Sequence, residues 1–216
     1  MVSGSKMKRA QAHVLASRPY SERIQAMIAD LAARPGPDAS AHPLLQQRAT
    51  RHRVGLIIMT ADRGLCGALN SNVIRRAGVD ILEAGGPAAV ETVTVGRRGQ
   101  DFMLRRGIRV QATFPQPGDN PGIIKVQPMA KIIMDEYIRG GIDAAYIVFP
   151  RFVNTLTQRV TVDQLLPVVP AKVTGGPPEY IFEPRPPEIL AALPPRYVDV
   201  QVNQALLETI AKIGRA

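Results

Sequence analysis

The 216-residue sequence predicts an α/β fold. A mostly parallel, five-stranded sheet is inserted between an N-terminal and a C-terminal helix, which are expected to pair as an antiparallel coiled coil. Three observations lead there. Short runs rich in Val, Ile and Thr alternate with helical patterns through the middle of the chain, the order of βαβ units. An apolar seam at 3–4 spacing runs along residues 3–31. A second seam follows a proline-rich connection near the other end.

The elements follow in chain order. Residues 3–31 read as one long helix, with Met7, Ala10, Val14, Ser17, Ser21, Ile24, Ile28 and Leu31 on the seam. Its middle is weak at Ser17 and Ser21, and Pro19 is expected to kink or interrupt it because proline lacks an N–H. At ~1.5 Å per residue the helix spans roughly 43 Å, longer than a small α/β domain needs, so something outside the domain is expected to pack on it. Residues 32–52 form a linker. Strand follows at 53–60, helix at 69–84, strand at 90–96, a short basic helix at 98–107 and strand at 108–114. After a Pro/Gly loop come an amphipathic helix at 123–139, a strand at 144–152 and an extended run at 155–168. Asn154 at the turn between the last two implies a hairpin, and hence one antiparallel edge strand. Residues 169–187 are proline-rich. From about 187 a helix runs to the end with Val198, Val202, Leu206, Ile210 and Ile213 on one face, broken or restarted at Pro194-Pro195. The chain thus divides into a helix at 1–31, a linker at 32–52, an α/β domain at 53–182 and a helix at 183–216.

The formal net charge of +9 and the sequence pI of about 10.2 call for an acidic or polyanionic partner. Nucleic-acid stacking platforms need aromatics among the cations. Phe102 alone interrupts Arg97, Arg98, Arg105, Arg106 and Arg109, so that stretch reads as a solvated basic face and no nucleic-acid partner is expected. No apolar run reaches the ~18 residues of a membrane span, and the first residues lack an apolar signal core. The expectation is a cytoplasmic protein able to sit on a membrane complex. Cys66 is the sole cysteine, which excludes an intrachain disulfide and a multi-cysteine zinc site.

TADRGLCGALNSN, residues 60–72, joins the first strand to the first helix of the domain. A phosphate-binding loop there needs G-x-x-x-x-G-K-[ST] or G-x-G-x-x-G, and neither is present. Gly64-Leu65-Cys66-Gly67-Ala68 has the outline of a nucleophile elbow. A thiolate there needs a base, and His13, His42 and His52 are badly placed for it: His52 begins the strand whose far end leads to Cys66, roughly 25 Å away at ~3.3 Å per residue. Asp62 and Arg63 read as braces of the turn, with Asp62 accepting backbone N–H bonds, and Cys66 as a small buried residue. The turn, Asp62, Arg63, Gly64, Cys66 and Gly67, is thus expected to be structural. No catalytic constellation, metal site or cofactor site is expected.

SKMKRAQ (5–11), SRPYSERI (17–24), DRGLCGALNSN (62–72), YIVFPRFVNTLTQRVTVDQLLPV (146–168) and EPRPPEILAALPPRYVDVQVNQALLE (183–208) together resemble the gamma subunit of F-type ATP synthase. The matching stretches run in order along nearly the whole chain. The resemblance implies a Rossmann-like domain inserted between helices that wind into an antiparallel shaft. It implies a non-catalytic rotor coupling proton flow to ATP synthesis or hydrolysis, with the ATP chemistry on alpha and beta. The implied partners are the alpha, beta and epsilon subunits and the membrane c-ring. The implied location is peripheral, on the cytoplasmic face of the bacterial plasma membrane. Lys6, Lys8 and Arg9 match the family's basic S-K-M-[KR]-[KR] stretch and are candidate partner contacts, suited to acidic loops of surrounding subunits. Residues 1–53 carry nine Lys/Arg against three Asp/Glu, which fits such a role. Relative to the family the chain is expected to lack both distal shaft segments, and one cysteine cannot form the redox switch of the plant type.

Overall fold

Five strands and the helices around them can be traced in a computed structural model, which describes residues 12, 16, 19–29, 42–62, 64, 67–118, 122–152, 158–169 and 186–213. We label residues 19–29 as helix α1. Then come β1 (Val54–Met59), α2 (Leu69–Glu83), β2 (Val90–Val95), α3 (Arg97–Arg105), β3 (Val110–Phe114), α4 (Gln127–Arg139), β4 (Ala144–Phe152), β5 (Gln158–Leu166) and α5 (Pro186–Ile213). The sheet order is β3-β2-β1-β4-β5. β1 pairs parallel with β2 and β4, β2 parallel with β3, and β4 antiparallel with β5. The mostly parallel sheet with one antiparallel edge strand is the arrangement the sequence predicts.

The central position of β1 follows from its residues. A parallel strand covered on both faces reads as an unbroken apolar run, and all six residues of VGLIIM are buried. The period of two then sorts side chains between two cores. Ile57, Met59, Val93, Ile147 and Phe149 face α1, α4 and α5. Leu56, Ile58 and Val148 face α2 and α3, where Val73, Ala77, Ile81 and Met103 close over them. The domain is therefore three layers deep, with the terminal helices on one side only.

Three boundaries differ from the sequence reading. The third strand starts at Val110 rather than 108, because Ile108 N donates to Met103 O at 3.0 Å and closes α3 instead of extending the strand. The last strand ends at Leu166. Beyond it Val168 N turns to Leu44 O at 2.8 Å, tying the strand exit to a 3-10 turn at Pro43–Leu45. The third concerns Pro194-Pro195, which does not break α5: the helix runs unbroken from Pro186 to Ile213. Pro195 has no N–H for the carbonyl four residues back, Ala191 O, and the His42 imidazole lies beside that carbonyl. Burial holds His42 below its ordinary pKa against the pull of this carbonyl, while its Nδ1 accepts from Leu44 N at 3.2 Å. At the other end, Pro19 is helical, as are residues 12 and 16 before it. Residues 17 and 18 lie outside the described residues, as does the seam from Met7 to Val14.

The linker reaches β1 through a polar clamp. Asp143, just before β4, accepts from His52 N at 3.0 Å and Arg53 N at 3.1 Å, and from the Arg48 guanidinium at 3.3 Å. Arg48 also lies over the Tyr137 ring, 4.7 Å from its centroid, and donates to the Tyr137 carbonyl. Burial pushes the Asp143 carboxyl up, but the two backbone donors and Arg48 outweigh it and hold the pKa below the ordinary value. A depressed folded pKa means stability that is complete above the unfolded carboxylate pKa of about 3.9 and lost as pH falls through the folded value. Asp143→Ala is expected to cost about 1–3 kcal/mol at neutral pH. In urea titrations the gap from the parent should close on acidification below pH ~4, and a gap independent of pH would contradict the clamp.

Candidate partner-binding surfaces

In open α/β sheets ligands settle outside the carboxyl ends of the strands, where strand order diverges. Here that place is the end of β1, and the turn at 60–68 leaves from it. Thr60, fully buried, donates from Oγ1 to Val95 O at 2.9 Å and accepts from Gly99 N at 2.9 Å. Asp62 is half-buried, and its two carboxylate oxygens serve distant segments rather than its own turn. Oδ1 accepts from Arg97 N at 3.1 Å, at the start of α3, and Oδ2 accepts from Gln116 N at 3.1 Å, after β3. Ala61 N donates to Asn70 Oδ1 at 3.0 Å, closing the turn onto α2. Gly64 lies beneath Arg98, where a Cβ would stand 3.0 Å from Nη2. Gly67 adopts φ +57° in open space.

Thr60, Asp62 and Asn70 thus spend these polar atoms on the backbone, and the arrangement ties three strand ends together. Arg63, Leu65 and Cys66 lie outside the described residues, as do Lys6, Lys8 and Arg9. Sequence reasoning missed Thr60, Asn70 and the Gly96–Gly99 loop. The available signal was a glycine directly after a buried strand, the mark of close backbone approach. Asp62→Ala removes the acceptor of two backbone donors and is expected to lower stability by about 1–3 kcal/mol, with Asp62→Asn recovering part of it. Chemical denaturation of both variants checks this, and equal losses would show that the single acceptor oxygen kept by asparagine contributes nothing. Among the described residues no cluster of three or more His, Cys, Asp or Glu has metal-binding geometry.

The other notable surface is the helix pair. Gln201 of α5 donates to Ser21 Oγ of α1 at 2.6 Å, so the seam serine is a buried, hydrogen-bonded contact rather than a gap. Beside it, Ser21, Glu22, Arg151, Gln201, Gln204 and Glu208 line a cavity of about 360 Å³. Arg151 on β4 reaches Asp163 on β5 at 2.6 Å and lies 4.0 Å from Glu208, whose side chain is 1% exposed. Burial pushes Asp163 up in spite of Arg151. This polar group and the apolar layer beneath it root both terminal helices in the sheet. No helix among the described residues is long and apolar enough to cross a membrane.

Comparison with known proteins places this architecture. A family model described as ATP synthase matches residues 1–212. The ATP synthase gamma chain of Dehalococcoides mccartyi is 42% identical over 212 residues, covering 98% of this chain and 73% of that protein. The gamma chain of Chloroflexus aurantiacus is 42% identical over 213 residues with the same coverage. Among solved structures, the central stalk and c-ring of Tetrahymena thermophila mitochondrial ATP synthase contains a chain similar in fold. The TM-score is 0.74 at 20% identity, over 99% of this chain and 92% of that one. A chain of the Euglena gracilis mitochondrial ATP synthase rotor aligns with a TM-score of 0.51 at 14% identity, over 98% and 88%. The family-model match and the sequence identity over nearly the whole chain agree: this protein belongs to the ATP synthase gamma chain family.

Proposed function

We propose that the chain is the central-stalk rotor subunit of an F-type ATP synthase, non-catalytic itself, coupling proton flow to ATP synthesis or hydrolysis on alpha and beta subunits. The observation that carries this reading is the rooting of α1 and α5 in one face of the sheet. A rotor must pass torque between a shaft and a foot without slack, and close-packed apolar cores with hydrogen-bonded helix contacts are stiff. Here Ile24 and Ile28 of α1 share a core with Val198, Val202 and Leu206 of α5, and Gln201 bonds Ser21 across the pair. The saturated polar groups at the β1 turn support a structural role for Asp62 and Gly64, and extend it by analogy to Arg63, Cys66 and Gly67.

In this reading residues 1–31 and 183–216 are shaft, 32–52 linker and 53–182 the globular foot. The shaft meets alpha and beta, with Lys6, Lys8 and Arg9 against acidic loops. The foot meets epsilon and the c-ring, peripheral to the cytoplasmic face of the bacterial plasma membrane.

The test is co-purification of the chain with alpha, beta and epsilon subunits, followed by an ATPase assay of the complex. Joint assembly with activity above that of alpha and beta alone is the expected result. Binding to epsilon alone would reduce the role to that of a foot without a working shaft. Binding to none of the three would remove the basis for the assignment. Charge reversal of Lys6, Lys8 and Arg9 together should weaken assembly with alpha and beta at least about tenfold while leaving epsilon binding unchanged.

A further inference from the structure

On the sheet face turned away from the helix pair, α2 and α3 enclose a groove of about 350 Å³. Ile81, Phe102 and Ile108 form its apolar floor, and Val79 and Leu82 stand on its rim. Val79 is 43% and Leu82 73% exposed. A single exposed leucine is ordinary, but two exposed apolar side chains flanking one apolar concavity mark an interaction surface. Two arginines, Arg75 and Arg106, also line the groove. The Arg106 guanidinium lies over the Phe102 ring, 5.2 Å from its centroid. Arg76, one residue along α2, is paired with Asp80 at 2.9 Å. Arg75 and Arg106 form no ion pair with any described residue, and no carboxylate lines the groove.

We infer that this groove docks an acidic amphipathic helix of a partner protein. Apolar side chains at i and i+4 of such a helix fill the floor between Leu82 and Phe102, and its flanking Glu or Asp residues meet Arg75 and Arg106. Charge decides between occupants. A second copy of this chain would bring arginine against arginine in a two-fold interface, between bodies that each carry a formal net charge of +9. Shape decides against a membrane, because a lipid surface is broad and flat whereas this site is concave and narrow. The groove is separated from α1 and α5 by the sheet, so the inference does not depend on the rotor reading, and occupancy leaves the helix pair untouched.

The experiment titrates the full chain into a fluorescein-labelled helical peptide carrying Leu at i, i+4 and i+7 and Glu at the other exposed positions, read by anisotropy. Saturable binding is expected, weakened at least about tenfold by Leu82→Gln and by Arg106→Glu and weakened by added salt. Leu104→Gln, at a 56%-exposed leucine of α3 that does not line the groove, should leave it unchanged. All three positions are exposed, and matching thermal melts exclude unfolding as the cause. Absence of saturable binding, or an equal loss for Leu104→Gln, overturns the inference. So does a Leu82-dependent self-association of the chain in sedimentation without peptide binding, or Leu82-dependent binding to anionic vesicles in place of the peptide.

Discussion

Gly96→Ala is expected to cost more than about 3 kcal/mol, although it adds a single methyl group. Gly96 joins β2 to α3 with φ +85° and ψ 143°, a region that residues with a side chain scarcely enter. A Cβ built there would press on the Thr60 carbonyl oxygen, with the Thr60 carbon at 2.7 Å and the Ala61 carbon at 2.9 Å. Those atoms are backbone and cannot swing aside. The loop cannot yield either. Gly96 N is held by Phe114 O at 2.9 Å, Arg98 N by Ala61 O at 3.3 Å, and Thr60 Oγ1 bonds both β2 and α3. Gly67→Ala is the control. It also has positive φ, but nothing lies within 4 Å of its Cβ position, so only the conformational cost of about 1–2 kcal/mol applies. Against a total stability of about 5–15 kcal/mol, the two substitutions separate clearly in urea titrations. Equal losses would mean that the approach of β1 to the β2–α3 loop is not as close as described.

The same junction shows what sequence can and cannot convey. VGLIIM was legible as a strand, because apolar character is a property of the residues themselves, and its burial on both faces emerges in the folded sheet. The sorting of Ile57 and Leu56 to opposite cores followed from the period of two. Asp62 was read as the brace of its own turn, and it does accept backbone N–H groups. Its donors, however, lie 35 and 54 residues further along the chain. No local pattern names a partner at that separation. Pro194-Pro195 misled for the same reason. The rule that proline leaves a carbonyl without its helical donor holds, yet the helix continues, with His42, distant in sequence, set beside the Ala191 carbonyl. Ser21 likewise read as a flaw in an apolar seam until Gln201 met it from the other terminal helix. Apolar periodicity is legible residue by residue, whereas a polar residue's role depends on what folding brings opposite.

The rotor reading makes its sharpest demand on α5. Leu206 is fully buried in the core shared by α1, α5 and the sheet. Leu206→Asp is expected to lower stability by roughly 3–5 kcal/mol, because a carboxylate there has lost its water without gaining a partner. Its folded pKa would rise above the unfolded value, so the penalty is full only above that raised pKa and shrinks as the pH falls through it. Leu206→Met nearly conserves volume and should cost less than ~1.5 kcal/mol. Stability alone does not bear on function, so the comparison is Ile81→Ala. Ile81 is 2% exposed in the opposite core, under α2 and α3, and its truncation should cost about 2–5 kcal/mol without touching the helix pair. If α1 and α5 are the root of a shaft, Leu206→Asp should abolish assembly-dependent ATPase activity at a temperature where both variants remain folded. Ile81→Ala should retain most of it. Equal activities in the two variants, or full activity with Leu206→Asp, would mean that torque does not pass through this helix pair.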